Sequence, residues 1–186
     1  LIYELIRTST PYFLSRPRRF GKSLLLSTME AYFLGKKDLF KGLALEKLEK
    51  EWIQYPVLKI SFGVNSYENN ERLKSRLNSI VSENEFRYNI EKKSDNPAER
   101  FANIIRAVSE KYNQKVVILI DEYDAPVGHT LDNIDVAEAV RARLSALYSQ
   151  MKNRTGDIRF LFMTGVSKFT KLSVFSALNN IVDISL

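Results

Sequence analysis

The chain has 186 residues, and its 28 lysines and arginines exceed its 22 aspartates and glutamates, which gives a net charge of +6. It contains no cysteine and a single histidine, His129. These counts exclude disulfide frameworks, thiolate nucleophiles and cysteine-ligated metal sites, and they also exclude sites built from several histidines. Any chemistry must therefore come from carboxylates, hydroxyls, lysine, arginine and backbone amides.

The composition is typical of one globular domain. Hydrophobic residues make up 45% and charged residues 27% of the chain, which indicates a folded domain with a real core. No apolar run is long enough to predict a transmembrane helix, and the first residues lack the layout of a signal peptide. We therefore expect a cytoplasmic protein without a membrane partner. Because the sequence starts without methionine and stops at a strand-like run, we expect residues 1–186 to be one core of a longer chain.

Apolar runs of β type alternate with amphipathic helical stretches along the chain. The predicted strands cover residues 12–15, 56–62, 116–121, 158–165 and 181–186. The predicted helices cover residues 23–35, 71–85, 97–112 and 134–152. Strands separated by helices favour parallel pairing, with helices on both faces of the sheet. The sequence therefore predicts a three-layered α/β fold in one domain.

Two details of the helices carry specific expectations. In the first helix, Leu25, Met29, Tyr32 and Phe33 are spaced to share the buried face. The third helix has Asn96 as its predicted N-cap, followed by proline at the first helical position.

The loop R-P-R-R-F-G-K-S, residues 16–23, lies between the first predicted strand and the first predicted helix. A phosphate-binding loop (P-loop) needs backbone N–H groups at a helix N-terminus, a glycine that leaves room for the anion, a lysine for the phosphates and a hydroxyl for Mg²⁺. Gly21, Lys22 and Ser23 supply the last three parts, whereas Arg16 stands where the motif G-x-x-x-x-G-K-S/T has its first glycine. Alone, this match is weak, because an ordinary loop before a basic helix start can contain the same tripeptide. The predicted nucleotide-binding residues are Arg16, Pro17, Arg18, Arg19, Phe20, Gly21, Lys22, Ser23 and Leu24.

The run VVILIDEYD places Asp121 and Glu122 at the end of a strand whose apolar sequence indicates burial on both faces. Ligands of open α/β folds bind at this carboxyl edge of the sheet. There Asp121 would hold Mg²⁺ and Glu122 would orient and deprotonate a water; the alternative is a strand that simply ends in solvated acids. Together with the GKS loop upstream, the pair predicts a P-loop nucleoside-triphosphatase core that binds ATP and Mg²⁺. The adjacent glutamate favours hydrolysis over the chemistry of P-loop kinases and GTPases.

Thr164 stands at the tip of the fourth predicted strand, with Ser167 close behind. In ATPases of this layout, a polar residue at this tip senses the γ-phosphate and helps to place the water. A hydroxyl that caps the turn after Gly165 is an equal alternative. The predicted catalytic set is Glu122, Lys22 and Thr164, and the predicted metal-binding pair is Ser23 and Asp121.

Three blocks occur in order along the chain: FLSRPRRFGKSLLLSTMEAYFLGK, VVILIDEYDAPV and FLFMTGVSKFTKLSVFSALNNIVDISL. With them the chain resembles the predicted AAA-ATPase-like family of bacteria and some archaea, in which RPRRFGKS also replaces the glycine-rich loop. The resemblance implies a RecA/AAA-like sheet of five parallel strands in the order 5-1-4-3-2. It implies that Lys22 and Ser23 are ligands of the nucleotide and of Mg²⁺, that Asp121 is the carboxylate on the metal side, and that Glu122 is the base. It also implies a C-terminal restriction-endonuclease-like nuclease domain as a partner in longer family members.

Two other functions stay open. Because the bulky Arg16 would reshape the phosphate cradle, a nucleotide-binding switch with little turnover that gates a partner is one alternative. The charge of +6 makes a nucleic-acid-binding module the other, since Arg16, Arg18 and Arg19 would either neutralise nucleotide phosphates or face nucleic acid. No pattern predicts a particular oligomer.

Several neighbours of the motifs have two interpretations or an ordinary one. Asp124 either supports the acidic pair or belongs to a turn before Pro126. His129 is expected to be a solvent-facing loop residue, and contact of Asn179 and Asn180 with the nucleotide is left open.

Overall fold

The computed structural model describes residues 2–63, 67, 69–128, 130, 133–167 and 180–185. His129, Asn179 and the stretch 168–178, about which the sequence made predictions, lie outside these residues. Along the described part of the chain, no helix combines the length and the apolar character that a membrane crossing requires.

Within the described residues, five strands form one sheet in which every pairing is parallel. They are β1 (Tyr12–Ser15), β2 (Val57–Ser61), β3 (Val116–Asp121), β4 (Ile158–Gly165) and β5 (Val182–Asp183). Their order across the sheet is β2-β3-β4-β1-β5. This order confirms the predicted 5-1-4-3-2 arrangement and the three-layered α/β class.

Helices cover both faces of the sheet. They are α1 (Ile2–Arg7), α2 (Lys22–Phe33), α3 (Ala44–Leu48), α4 (Asn70–Tyr88), α5 (Pro97–Tyr112), α6 (Ala125–Gly128) and α7 (Ile134–Lys152), with short 3₁₀ helices at Lys37–Phe40 and Thr155–Asp157. On one face of the sheet, called the first face, an apolar cluster joins α2 and Ile6 of α1 to the strands. On the opposite, second face a larger cluster joins α4, α5 and α7 to the strands. The run Val116–Ile120 of β3 is buried throughout, as the apolar sequence predicted.

Asparagines set the ends of the long helices on the second face. Asn69, Asn96 and Asn133 accept a hydrogen bond from a backbone N–H of the first turn of α4, α5 and α7, respectively, which satisfies one of the otherwise free donors there. Asn89 and Asn113 end α4 and α5 in the left-handed conformation, which asparagine tolerates better than most residues. The predicted cap at Asn96 is confirmed.

Side chains of α4 protect the outer edge of β2. An exposed strand edge leaves backbone N–H and C=O groups without partners, and every second residue of β2 points these groups outward. The side chains of Arg76, Asn84 and Tyr88 bond to the backbone of Ser61, Lys59 and Val57, respectively, over distances of 2.7 to 3.3 Å.

The last strand is shorter than predicted. The sequence predicted a strand over residues 181–186, but β5 covers only Val182–Asp183. Next to it, the backbone N–H of Ser15 donates to the hydroxyl of Ser185 at 2.7 Å. Because a side chain takes the bond that the backbone ladder would need, the regular pairing ends before Ser185.

The buried face of the first helix is centred slightly differently from the prediction. Met29 and Phe33 are buried as expected, and Leu26 is buried as well, while Leu25 and Tyr32 are half-buried and pack against the same cluster. The periodicity alone allows either set, because neighbouring apolar positions on a helix differ by less than a third of a turn. Contact with the sheet decides between them.

A buried ion pair fastens α4 to α5. The guanidinium of Arg100 donates to both carboxylate oxygens of Glu85, at 3.0 and 2.5 Å, and the two side chains are 4% and 9% exposed. We predict that Arg100→Ala lowers the free energy of unfolding by about 3 kcal/mol or more, because a buried carboxylate loses its partner. Urea denaturation followed by circular dichroism measures the loss.

The matched control for this substitution is Arg106→Ala on the same helix. Arg106 pairs with Glu110 at 3.0 Å, but the two side chains are 38% and 62% exposed, so we expect a loss below about 1 kcal/mol. Equal losses for the two variants would contradict the assigned strength of the buried pair.

Candidate functional site

The N-terminus of α2 differs from those of the other long helices. Its N-cap is Gly21, with a φ of 73°, and no side chain caps it. The first N–H groups of a helix have no partner within the helix, and together with the helix dipole they attract anions. A left-handed φ is one that glycine adopts without strain, so this residue type shapes the turn into an open anion cradle.

The loop before α2 is folded around the lysine side chain. The ammonium of Lys22 donates to the carbonyls of Arg16 at 2.9 Å and Pro17 at 3.0 Å, and this side chain is buried. The backbone N–H of Arg16 in turn donates to the carbonyl of Gly165 at 3.1 Å. Arg16 thus replaces the usual glycine while contributing main-chain groups, which any residue type except proline can supply.

Asp121, at the end of β3, connects two other elements. One carboxylate oxygen accepts from the hydroxyl of Ser23 on α2 at 2.6 Å, and the other accepts from the hydroxyl of Thr164 on β4 at 2.6 Å. Thr164 is fully buried. The structure therefore brings the two predicted metal-binding residues into contact, with Thr164 behind the carboxylate.

Glu122 follows β3 in a left-handed conformation, with a φ of 53°. Such a backbone is uncommon for residues other than glycine, asparagine and aspartate, and it directs the carboxylate toward the backbone of Gly63 at the end of β2. Toward the residues that the structure describes, this carboxylate makes no hydrogen bond. Nearby, burial raises the pKa of the Tyr67 hydroxyl to about 12; Arg76 opposes this shift and Glu122 adds to it.

The remaining acid of the DEYD run has a structural task. Asp124 is buried, and its carboxylate accepts from the backbone N–H groups of Val166 and Ser167, at 3.0 and 2.6 Å. It caps the turn after β4, which was one of the two tasks proposed for Thr164. A side chain on Gly165 would meet the Tyr123 ring at 2.2 Å and Asp124 at 2.7 Å. The sequence signal for this contact was only a glycine at the end of a buried strand.

The basic loop, the start of α2 and Glu122 surround a cleft of about 420 Å³, a size within the range of small-molecule sites. Six of the nine predicted nucleotide-binding residues line it, together with Glu122. The six are Arg18, Arg19, Gly21, Lys22, Ser23 and Leu24. Of the other three, Arg16 and Pro17 support Lys22 from behind, and the ring of Phe20 is 68% exposed.

The donor set at the cleft fits Mg²⁺. The described residues contain no group of three or more histidine, cysteine, aspartate or glutamate side chains that could form a protein-only metal cage. Mg²⁺ does not need one, because it keeps several waters and is held by one or two carboxylates together with substrate phosphates. Ser23 and Asp121 provide a hydroxyl and a carboxylate whose oxygens already converge.

The comparisons with known proteins show the family of the chain. Residues 1–175 match the AAA-ATPase-like family, described as "Predicted AAA-ATPase". The chain is also 40% identical over 182 residues to "Uncharacterized protein in vnfD 5'region" from Azotobacter chroococcum mcd 1. That alignment covers 98% of this chain and 35% of the relative, so the chain spans only about a third of the relative's length. The family match extends over nearly the whole sequence and confirms the resemblance: the chain belongs to the AAA-ATPase-like family.

Proposed function

We propose that this domain binds ATP with Mg²⁺ and hydrolyses it. The observation that carries the proposal is the 2.6 Å contact between Ser23 at the start of α2 and Asp121 at the end of β3. It unites the two motifs of a P-loop ATPase beside one cleft, at the carboxyl edge where open α/β sheets bind ligands. The family membership supports nucleotide binding; hydrolysis and the role of Mg²⁺ are our proposals.

The phosphates would lie against the uncapped first turn of α2. Lys22 would turn from the carbonyls of its own loop toward the β- and γ-phosphates, while Arg18 and Arg19 at the cleft wall would neutralise phosphate oxygens. The position of these two arginines supports a nucleotide role for the basic loop over the nucleic-acid alternative.

Ser23 and Asp121 would hold the metal ion through their converging oxygens. When bound, Mg²⁺ neutralises charge that develops on the phosphate oxygens. Glu122 would accept a proton from a water as the water oxygen bonds to the γ-phosphorus and the bond to the β-phosphate oxygen breaks, which releases ADP and phosphate. Its carboxylate is free of hydrogen bonds to the described residues, so it is available as the base.

Thr164 would act through Asp121 and not through the γ-phosphate. Its hydroxyl is fully buried and donates to Asp121, so it would hold the carboxylate in the orientation that the metal needs. From the resemblance alone, we further propose that a nuclease-like domain follows this core in a longer protein and responds to the ATPase cycle.

Lys22→Met tests the phosphate site, because methionine keeps the length of the side chain and removes its charge. We expect ATP affinity to fall by about tenfold or more, the order that a lost charged hydrogen bond explains. Isothermal titration calorimetry measures it. Lys37→Ala, an exposed lysine beyond the C-terminal end of α2, is the control and should bind as the unmodified protein does; unchanged affinity in Lys22→Met would refute the site.

Glu122→Gln tests the base. Steady-state phosphate release should fall by about 100-fold or more, as expected when a general base is lost, while ATP binding stays within about twofold. If the unmodified protein releases phosphate no faster than this variant, the domain is a nucleotide-binding switch and the enzymatic proposal fails.

Thr164→Val tests the orienting role. Loss of an outer hydrogen bond to a metal ligand weakens metal binding by roughly 10- to 100-fold, so the Mg²⁺ concentration for half-maximal turnover should rise while turnover at saturating Mg²⁺ recovers. A Mg²⁺ titration of phosphate release measures both, with Thr164→Ser as the control that keeps the hydroxyl. An unchanged Mg²⁺ midpoint with reduced maximal turnover would instead favour the γ-phosphate sensor.

A further inference from the structure

Gly63 lies two residues beyond the end of β2, next to the proposed base. β2 pairs with β3 in parallel, with Ser61 opposite Asp121, so both chains leave the sheet at the same edge. If Gly63 carried a Cβ atom, its three nearest heavy atoms would all belong to the Glu122 carboxyl group. The distances would be 2.2 Å to Oε2, 2.8 Å to Cδ and 3.3 Å to Oε1.

The backbone does not require glycine at this position. The glycines with a left-handed φ among the described residues are Gly21, Gly35 and Gly42, so Gly63 has a conformation open to other residue types. It is also exposed, and no core side chain stands among the three atoms nearest to its missing Cβ. What its bare backbone accommodates is the carboxylate of Glu122.

The backbone that leads to Gly63 is held in place from two sides. The guanidinium of Arg76 donates twice to the carbonyl of Ser61, at 3.0 and 2.7 Å. The hydroxyl of Tyr67 donates to the carbonyl of Phe62 at 2.6 Å. With this backbone fixed, a side chain added at Gly63 would displace the flexible end of Glu122 and leave the strand where it is.

We infer that Gly63 is a positioning residue for ATP hydrolysis, whose missing side chain forms the seat that holds the Glu122 carboxylate beside the cleft. This inference rests on the proposed role of Glu122 as the base. Proton transfer needs the base within hydrogen-bond reach of the water, and a displacement of about 1 Å in a reacting group costs roughly 100-fold in rate. The seat therefore acts on turnover, not on nucleotide binding or on the fold.

The test is Gly63→Ala, with turnover, binding and stability measured on the same purified protein. We expect turnover at saturating ATP and Mg²⁺ to fall by about tenfold or more, while the KM for ATP and the midpoint of thermal unfolding stay close to those of the unmodified protein. Gly156→Ala is the matched control, because a Cβ there meets no atom within 4 Å. Turnover within about twofold of the control would overturn the inference, as would a turnover loss that merely follows a loss of stability.

Repeating the substitution in the Glu122→Asp variant separates positioning of the carboxylate from a general structural effect. Aspartate is one methylene shorter than glutamate, so in Glu122→Asp the carboxylate no longer reaches the seat. Adding Gly63→Ala to that variant should then change turnover by less than about twofold, which makes the two substitutions strongly non-additive. Equal fractional losses in both backgrounds would contradict the inference.

Glu122→Gln, measured in parallel, shows whether the assignment of the seat or the assignment of the base is wrong. If that variant loses turnover while Gly63→Ala does not, the seat is wrong and the proposed base stands. If Glu122→Gln keeps full turnover, the proposed base is wrong, and the inference about Gly63 falls with it.

Discussion

The site depends on one carboxylate that is shared between two hydroxyls. Asp121 ends β3, an interior strand of the sheet, and accepts from Ser23 on α2 and from Thr164 on the neighbouring strand β4. A charged acceptor with short O–H···O bonds holds its donors firmly. The loop of residues 16–23, the start of α2 and the ends of β3 and β4 are thereby held next to one another. The cleft beside them has the groups that a nucleotide with its metal ion would need.

The wider fold serves this arrangement by fixing the ends of the strands. β3 and β4 are buried between two helical layers, and α4 satisfies the outer edge of β2 with three polar side chains. The carboxyl ends of these strands therefore have little freedom to move. Left-handed backbone at Gly21 and Glu122 then directs an amide cradle and a carboxylate into the same cleft. Glycine adopts this conformation without strain, whereas at Glu122 it costs local strain of the kind that functional sites often contain.

The sequence predicted the parts of this structure that have strong periodic or motif signals. Long amphipathic helices and buried strands follow from spacing that burial enforces, and the meeting of Ser23 with Asp121 follows from the motif pair. A contact that depends on the lack of a side chain, or on a single buried acid, leaves no such signal. The seat at Gly63, the cap formed by Asp124 and the role of Thr164 behind Asp121 appear only when the strands are placed side by side.

The central claim is that Ser23 and Asp121 form the metal side of a nucleotide site. The most direct measurement is a crystal structure with Mg²⁺ and a non-hydrolysable ATP analogue. The account predicts that a cation at about 2.1 Å from the Ser23 oxygen replaces the present bond between Ser23 and Asp121, with the phosphates at the first turn of α2. An analogue bound away from this turn, or a cation that contacts neither residue, would contradict the account.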